Sequence, residues 1–304
     1  MVKDSPLVST EWLAHNLDHP NLRIVDVRWG PKIEDGKGSG VDDYEGYLEA
    51  HIPGAVFLPI ATELVDRDNA IPDMLIGSKQ FEKVMGQLGI DNETLVVVYD
   101  NMGVPVGSAR FWWALSYYGH EGVKVLDGGL KQWQLEKRPV STEVPAVANA
   151  TFTASPRRNW IANREDVVAA VAGTQTLIID CLSEEQYSGR DNPWGTRAGH
   201  IPGAANVPAV SNLDPALGSA TMTERAKLLE QRGSFTYSDE QTIAELYNSV
   251  GRTPDRQIIT YCGRGYAASC GMLALKAIGH RNVRLYDGSW ADWSSDPELP
   301  VEVN

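Results

Sequence analysis

Apolar residues along this chain fall into short β-branched runs that alternate with longer amphipathic segments. The runs TLVVVY at 94–99 and QIITY at 257–261 are short and almost wholly apolar, as expected of strands buried on both faces. Segments with helical periodicity precede them at 78–89 and 238–251, and the apolar segment GMLALKAIG follows at 271–279. This alternation predicts an α/β fold built on mostly parallel sheets with helices on both faces.

The segment 238–251 carries a helix signal at each of its ends. Ser238 and Gln241 have the spacing of a capping box, in which each side chain binds a main-chain N–H group of the other residue. Gly251 is the residue type that most often follows the last turn of a helix. The sequence therefore predicts a helix that begins next to Ser238 and ends before Gly251.

The chain also repeats itself. The pentapeptide HIPGA at 51–55 returns at 200–204, an offset of 149 residues. Further similarities follow in the same order in both halves: RIVD and LIID ending at Asp26 and Asp180, Gly-His at 119–120 and 279–280, and LDGGLKQW and YDGSWADW at 126–133 and 286–293. Similarities that keep their order indicate a tandem duplication.

Length and composition agree with two folded domains. The chain has 304 residues, and domains commonly take roughly 150 each. Its hydrophobic content of 42% is typical of a globular protein. Residues 136–156 contain three prolines without clear periodicity, which is typical of a linker. We expect an N-terminal domain at 1–140, a linker at 141–158 and a C-terminal domain at 159–304.

The charge balance disfavours two classes of partner. With 27 Lys and Arg against 40 Asp and Glu, the net charge is −13, which repels nucleic-acid phosphates and anionic membrane surfaces. The sequence has no apolar stretch near the ~18 residues of a membrane span and no secretory leader at its start. We therefore expect a cytoplasmic protein that has neither nucleic acid nor a membrane as partner.

Cysteine and histidine spacing narrows the chemistry. The three cysteines, Cys181, Cys262 and Cys270, include no C-x-x-C pair, so they fit neither a disulfide framework nor a zinc site. The six histidines form no H-E-x-x-H motif, and we expect neither a metal nor a cofactor. His51 and His200, at the start of the repeated pentapeptides, are interpreted as buried residues that fix a turn.

Cys262 is the candidate nucleophile, because it stands where a predicted strand ends and a helix follows. Ligands of parallel sheets bind at the carboxyl ends of strands. The two glycines that follow permit positive φ angles, so that successive N–H groups can converge on one anion. We expect these donors to lower the pKa of the thiol. The main chain of this candidate anion cradle comprises Gly263, Arg264, Gly265, Tyr266 and Ala267.

Phosphatase chemistry and simple burial are the two other roles that a cysteine in this chain could have. A cysteine phosphatase also uses a loop after a strand, but it needs an arginine six positions beyond its cysteine, where this chain has Ala268. Cys181 and Cys270 are interpreted as small buried residues. Asp100 occupies the position in the first half that Cys262 occupies in the second, and a carboxylate there cannot attack sulfur as a thiolate does.

The paired HIPGA motifs, the Cys262 loop and the DGSWADW segment at 287–293 together resemble the two-domain rhodanese family of sulfurtransferases over essentially the whole chain. The resemblance implies two tandem rhodanese-like domains, each a mostly parallel sheet with helices on both faces. It further implies that the first domain is catalytically silent, that the second carries the nucleophile, and that the active site lies between them.

The resemblance also implies a two-step reaction without cofactor or metal. A small anionic donor such as thiosulfate leaves its outer sulfur as a persulfide on Cys262, and cyanide or a thiol then accepts it. Arg264, inside the loop, is expected to bind the anionic donor. By similarity to the family, we expect the same role for Arg190 and Arg197, and we expect Trp29 to form an aromatic wall of the pocket.

The residue pattern of the loop bears on the donor. Gly263 resembles members that prefer 3-mercaptopyruvate, whereas a cation at the third place, here Arg264, resembles members that use thiosulfate. The former carry a serine at that place, and without it a proton relay through Asp42 and His51 has no support. We expect a thiosulfate sulfurtransferase, with 3-mercaptopyruvate as the alternative donor. A third hypothesis is that the protein is a sulfur-carrier module, which delivers its persulfide to a protein partner.

Overall fold

The computed structural model of the chain describes residues 5–34, 37–193 and 197–303. Within them the backbone forms twelve strands, most of which are the short buried segments that the apolar runs predict. The strands are β1 Leu7–Val8, β2 Leu22–Asp26, β3 Trp29–Glu34, β4 Lys37–Asp42, β5 Val56–Phe57, β6 Leu95–Tyr99, β7 Val123–Leu126, β8 Ile161–Ala162, β9 Thr176–Asp180, β10 Ala205–Asn206, β11 Gln257–Tyr261 and β12 Val283–Tyr286.

Ten of these strands form two five-stranded sheets with the same design. The first has the order β1-β7-β6-β2-β5, and the second has the order β8-β12-β11-β9-β10. All neighbouring strands in both sheets are parallel. Among the strands of the described residues, β3 and β4 are the pair that runs antiparallel, and they form a separate two-stranded sheet in the first half. The predicted parallel α/β architecture is confirmed.

Thirteen α-helices connect and cover the sheets in the described residues. They are α1 Thr10–Asn16, α2 Tyr44–Glu49, α3 Ile60–Glu63, α4 Ser78–Gln87, α5 Val106–Tyr117, α6 Gly129–Leu135, α7 Arg164–Ala172, α8 Glu184–Tyr187, α9 Pro215–Gly218, α10 Met222–Arg232, α11 Glu240–Ser249, α12 Tyr266–Ala277 and α13 Ser289–Trp293. In this same part of the chain, the helices are all too short or too polar to cross a membrane.

The expected capping box of α11 is wrong. The helix begins at Glu240, and its N-cap is Asp239, whose side chain accepts the N–H of Thr242. The hydroxyl of Ser238 instead donates to the carbonyl of Leu213. An aspartate is as good an N-cap as a serine, and here it stands one residue closer to the first amphipathic turn.

The repeated HIPGA pentapeptides are fixed by matching tyrosine contacts. In the first half, the hydroxyl of Tyr47 donates to the carbonyl of Ala55, and the N–H of Ile52 donates to the hydroxyl of Tyr99 at 3.1 Å. In the second half, Tyr187 and Tyr261 make the same two contacts to Ala204 and Ile201. Both histidines are buried and donate from Nδ1 to a tyrosine carbonyl, as the interpretation of a turn-fixing role requires.

The two halves share one hydrophobic core. Because side chains alternate along a strand, Val97 and Tyr99 face a core of the first half alone, whereas Val96 and Val98 face the second half. In the second sheet, the side chains of β11 and β12 divide between a private and a shared core in the same way. Helices α5 and α12 pack against each other across this shared core. The carboxyl ends of both sheets are thereby brought to one interface.

The segment between the sheets is anchored rather than free. Ser141 pairs with His51, the N–H of Ala150 donates to the carbonyl of Gly86 at 2.9 Å, and the side chain of Phe152 is buried. The segment is extended, as its prolines predict, and it follows the surface of the first half.

The tyrosine contact of the pentapeptide gives a test of this framework. Tyr99→Phe removes the acceptor of a buried main-chain N–H, so we expect the free energy of unfolding to fall by about 1–3 kcal/mol in urea titrations. Tyr44→Phe is the control, because the Tyr44 side chain is exposed. Equal stability of the two variants would contradict the role given to the Tyr99 hydroxyl.

Candidate active site

Cys262 lies at the carboxyl end of β11, where the chain turns into α12. Gly265, directly before the helix, has a φ of 84°, in the left-handed region that glycine adopts without strain. This turn points the main-chain N–H of Gly265 at the sulfur of Cys262, with 3.1 Å between nitrogen and Sγ. Gly263 does not share the positive φ that the sequence reasoning gave to both glycines. One left-handed residue is enough to form the cradle.

The first residues of α13 also contact the segment that begins with Cys262. The N–H of Cys262 donates to Ser289 Oγ at 3.3 Å, and the N–H of Trp290 donates to the carbonyl of Cys262 at 2.8 Å. The N–H of Ala291 donates to the carbonyl of Gly263 at 3.0 Å. These main-chain contacts hold the loop independently of any side chain in it.

The expectation of a lowered thiol pKa is wrong. Burial raises the pKa of Cys262 above its ordinary value, because only 2% of the residue is exposed and a thiolate would lose its hydration. The main-chain N–H groups of Ala268, Arg264 and Gly265 act in the opposite direction and lower it. The predicted donors are therefore present, but desolvation outweighs them.

The other two cysteines lie in the same interior. Cys181 follows β9 and is beside Cys262, because β9 and β11 pair in register up to their last residues, Asp180 and Tyr261. Cys270, on α12, reaches the carbonyl of Pro105 at 3.4 Å. Burial raises the pKa of both thiols well above the ordinary value, which disfavours a thiolate at either position.

Asp100 occupies the equivalent place in the first half. It follows β6, and its carboxylate accepts the N–H and the hydroxyl of Ser108 in the first turn of α5, each at 3.0 Å. Burial raises the pKa of Asp100 to about 6. In the first half, the N-terminus of α5 is thus satisfied by the Asp100 carboxylate, whereas in the second half the N-terminus of α12 faces the Cys262 sulfur.

The first half reaches over the Cys262 loop at two points. Asp73, which precedes α4, binds Arg264 through Oδ2 and Nη1 at 3.0 Å, with a quarter of each side chain exposed. Trp29, at the start of β3, lies against Tyr266 with 5.1 Å between ring centroids. Trp29 also lines a cleft of about 560 Å³ together with Asp42 and Lys131. The structure thus brings Trp29 against Tyr266 and Asp73 against Arg264, both in the segment that follows Cys262.

A further pair crosses the interface at greater depth. Arg110 of α5 binds Asp287, which follows β12, at 2.5 Å, and the two side chains are 3% and 2% exposed. The Asp287 carboxylate also accepts the N–H of Leu75 at 3.0 Å. Sequence reasoning missed Arg110, Asp287 and Asp73. A single arginine within the otherwise apolar helix segment VGSARFWWALSY is the signal that could have drawn attention to Arg110.

Arg190 and Arg197 are engaged elsewhere. Arg190 is exposed and pairs with Glu184 at 3.1 Å. The Arg197 guanidinium donates to three carbonyls of the C-terminal segment, those of Ser294, Asp296 and Leu299. Neither side chain hydrogen-bonds to the Cys262 loop within the described residues, and anion binding by these two arginines stays a prediction.

Asp42 and His51 do not form a proton relay to the loop. The Asp42 carboxylate accepts the N–H of Ala61 and the hydroxyl of Thr62 at the start of α3. The ring nitrogens of His51 lie 2.7 and 3.0 Å from the carbonyls of Tyr47 and Glu143. In the residues that the structure describes, no three His, Cys, Asp or Glu side chains come together as metal ligands do.

Comparisons with known proteins agree with this geometry. The rhodanese-like domain family matches twice, at residues 9–136 and 163–296. A 3-mercaptopyruvate sulfurtransferase of Escherichia coli K12 is 32% identical over 97% of each chain. A Mycolicibacterium smegmatis protein provisionally named thiosulfate sulfurtransferase is 33% identical over 100% of this chain and 99% of its own. The crystal structure of SseA from Escherichia coli superposes with a TM-score of 0.78 at 28% identity, covering 94% of this chain and 99% of that one.

Two tandem α/β domains with a cysteine at one helix N-terminus define the class of two-domain sulfurtransferases. The chain belongs to the rhodanese family. Its activity is that of a sulfurtransferase.

The raised pKa of Asp100 predicts a pH effect on stability. Because the folded protein holds this proton up to about pH 6 and the unfolded chain releases it near 3.8, stability falls as the pH rises between these values. The loss amounts to about 3 kcal/mol at neutral pH. Asp100→Asn keeps an acceptor for Ser108 without the charge, so we expect it to be more stable than the wild type at pH 7.

Urea unfolding at a series of pH values, from the unfolded-state pKa of 3.8 through the folded-state pKa of about 6 to neutrality, measures this effect. Asp18→Asn, at an exposed site, is the control and should follow the wild type. An Asp100→Asn variant with the same pH profile as the wild type would show that Asp100 is not protonated by burial.

Proposed function

We propose that Cys262 carries the transferred sulfur and that thiosulfate is the donor. The observation that supports this most directly is the position of the Cys262 sulfur at the N-terminus of α12, where the N–H of Gly265 already donates to it. A persulfide formed there has its outer sulfur close to the N–H groups of the first helical turn, which favour negative charge.

The proposed reaction has two balanced steps. The Cys262 thiolate attacks the outer sulfur of thiosulfate, a sulfur–sulfur bond forms to Cys262, and the old sulfur–sulfur bond breaks to release sulfite with its electron pair. Cyanide or a thiolate then attacks the outer sulfur of the persulfide. The product leaves as thiocyanate or a new persulfide, and the Cys262 thiolate is regenerated.

A dianionic donor needs a cation at the loop, since the chain as a whole has a net charge of −13. Arg264 meets this need by its position two residues after Cys262. In the structure its guanidinium binds the Asp73 carboxylate, which occupies the position at which Arg264 would bind an anionic ligand. We infer that the donor displaces Asp73 from Arg264 and that this exchange opens the buried sulfur to attack.

The two halves have different roles in this proposal. We propose the division into residues 1–140, a linker at 141–158 and residues 159–304, with the first unit catalytically silent. Its Asp100 carboxylate fills the position of the nucleophile with an oxyanion that cannot accept sulfane sulfur. The first half instead contributes the pocket wall, through Trp29 and Asp73.

The alternative donor is 3-mercaptopyruvate. The glycine at Gly263 supports it, and so does the name of the Escherichia coli relative. Against it, the third place of the loop holds Arg264, so no hydroxyl is available there to relay a proton. Steady-state rates with both donors on one preparation distinguish the two, and faster turnover of 3-mercaptopyruvate at equal concentration would reject thiosulfate as the preferred donor.

Delivery to a protein partner is less well supported than transfer to a small acceptor. The acidic surface favours docking of a basic protein. However, Cys262 is 2% exposed beneath the contacts of the first half, so a protein thiol cannot reach it without separation of the interface. Cyanide and small thiols are the acceptors that the enclosed site suits.

Loading of the sulfur tests the central residue. After exposure to thiosulfate, we expect the intact mass to rise by one sulfur atom and to return on addition of cyanide, whereas Cys262→Ser should neither load nor turn over. Asp100→Ala should keep most of the activity, because the charge at that position takes no part in transfer. Loading of Cys262→Ser, or loss of activity in Asp100→Ala, would contradict the assignment of the nucleophile to the second half.

The exchange between Asp73 and the donor has its own signature. Arg264→Ala should raise KM for thiosulfate about tenfold with a smaller change in kcat, because it removes binding that substrate and transition state share. Asp73→Asn should lower KM, since the competing carboxylate is removed. Steady-state kinetics measures both, and Glu121→Gln, which removes the carboxylate bound by Arg157 in the same manner, is the matched control. A rise in KM for Asp73→Asn would contradict the exchange.

A further inference from the structure

A buried arginine from the first half lies against the loop of Cys262. Arg110 donates from Nη1 to Asp287 Oδ1 at 2.5 Å and from Nη2 to the carbonyl of Asp73 at 2.9 Å. A Cβ placed on Gly265 would lie 2.7 Å from Arg110 Nη1 and 3.1 Å from Asp287 Oδ1. The ion pair is therefore packed directly on the residue whose N–H reaches the Cys262 sulfur.

The other half lacks this arrangement, although the helices correspond. Arg110 is the fifth residue of α5, and Cys270 is the fifth residue of α12, a helix of the same length. Each contacts the residue that precedes the other helix: Arg110 lies at Gly265, and Cys270 lies at the carbonyl of Pro105. The duplicated framework thus places an arginine only on the side that faces the Cys262 loop.

The carboxylates that follow the corresponding strands show the same asymmetry. Asp287 follows β12 and accepts Leu75 N–H together with the Arg110 guanidinium. Asp127 follows β7 and accepts the N–H of Tyr237 at 2.9 Å, and burial raises its pKa to about 6. At the corresponding position, Asp127 is buried with a main-chain N–H as its partner rather than an arginine. We therefore infer that the arginine at Asp287 does more than fill the interface and neutralise a buried carboxylate.

We propose that Arg110 is a positioning residue for sulfur transfer, which acts through Gly265. By bridging Asp287 and the carbonyl of Asp73, the planar guanidinium holds Gly265 in its left-handed conformation and keeps the N–H on the Cys262 sulfur. Arg110 itself touches neither the donor nor the sulfur. This inference rests on the proposed function of Cys262, and it assigns part of the reactivity to the half without a nucleophile.

Removing the arginine has two effects of the same sign. The Gly265 N–H loses the packing that aims it at the sulfur, and the Asp287 carboxylate is left buried and unpaired beside the loop. Both disfavour the thiolate. The other charged and titratable groups around the loop are Asp73, Asp180, Arg264, Tyr266, Cys181 and Cys270, and of these Asp73 and Tyr266 interact electrostatically with Arg110.

The pH dependence of Cys262 alkylation by iodoacetamide tests this, with the labelled cysteine identified by peptide mass. The midpoint of the profile reports the thiolate, whereas the absolute rate also depends on how far the interface opens. We expect Arg110→Met to shift the midpoint upward by about one unit, equivalent to about a tenfold smaller thiolate fraction at neutral pH. Arg110→Lys keeps the positive charge but not the forked guanidinium, so we expect it to shift the midpoint by less.

Arg28→Met is the matched control. Arg28 pairs with Asp26 at 2.5 Å and is equally buried, but both residues and the further acceptor, the carbonyl of Ala50, belong to the first half. This variant should lose stability without a shift in the alkylation midpoint. Equal midpoints for the wild type, Arg110→Met and Arg110→Lys would overturn the proposal, and so would an equal shift in Arg28→Met. If Arg110→Met does not fold, Arg110→Lys against Arg28→Met decides the matter.

The same preparations separate this inference from the proposed function. Alkylation needs no sulfur donor, so an unshifted profile refutes the role of Arg110 even when thiosulfate loads Cys262. A wild-type protein that thiosulfate does not load refutes the proposed function, whatever the midpoints of the variants.

Discussion

The bond from the Gly265 main chain to the Cys262 sulfur depends on the way the duplicated halves meet. Gly265 must adopt a left-handed conformation for its N–H to point back at the sulfur, and the residues that surround it come from both halves. Each sheet buries one face in its own core and turns the other toward the shared core. The loop that follows β11 is therefore contacted by the first half, through Asp73 and Trp29, as well as by α13 of the second half.

Enclosure has a chemical consequence as well. In water, a cysteine with three main-chain donors would be a strong acid for a thiol, whereas in this interior the loss of hydration raises the pKa of Cys262. In the proposed reaction, these donors act instead on the negative charge that the sulfur donor brings to the loop. The Asp73 carboxylate on Arg264 shows that the mouth of the site already accepts such a charge.

Much of the fold could be predicted from the sequence, because buried parallel strands and a tandem repeat leave direct patterns. The runs that became β6 and β11 are uniformly apolar, and the HIPGA pentapeptides mark equivalent turns. The position of Cys262 followed from the same patterns. The start of α11 was misplaced by the choice between adjacent capping residues, Ser238 and Asp239, which local sequence alone does not decide.

The rest of the site arises from contacts between residues far apart in the chain. Arg110 and Asp287 are separated by 177 positions, and Arg264 and Asp73 by 191, so neither pair has a local signature. The predicted fall in the thiol pKa failed for a related reason. Loop geometry could be read from Gly265, but the burial that outweighs it depends on the shared core, which only the folded arrangement reveals.

A crystal structure of the protein after reaction with thiosulfate tests the account most directly, because it locates the transferred atom. The account predicts one additional sulfur bonded to the sulfur of Cys262, facing the main-chain N–H groups at the start of α12, with Cys181 and Cys270 unmodified. Additional sulfur on either of those two residues, or an unmodified Cys262 in crystals of protein that retains sulfur-transfer activity, would contradict it.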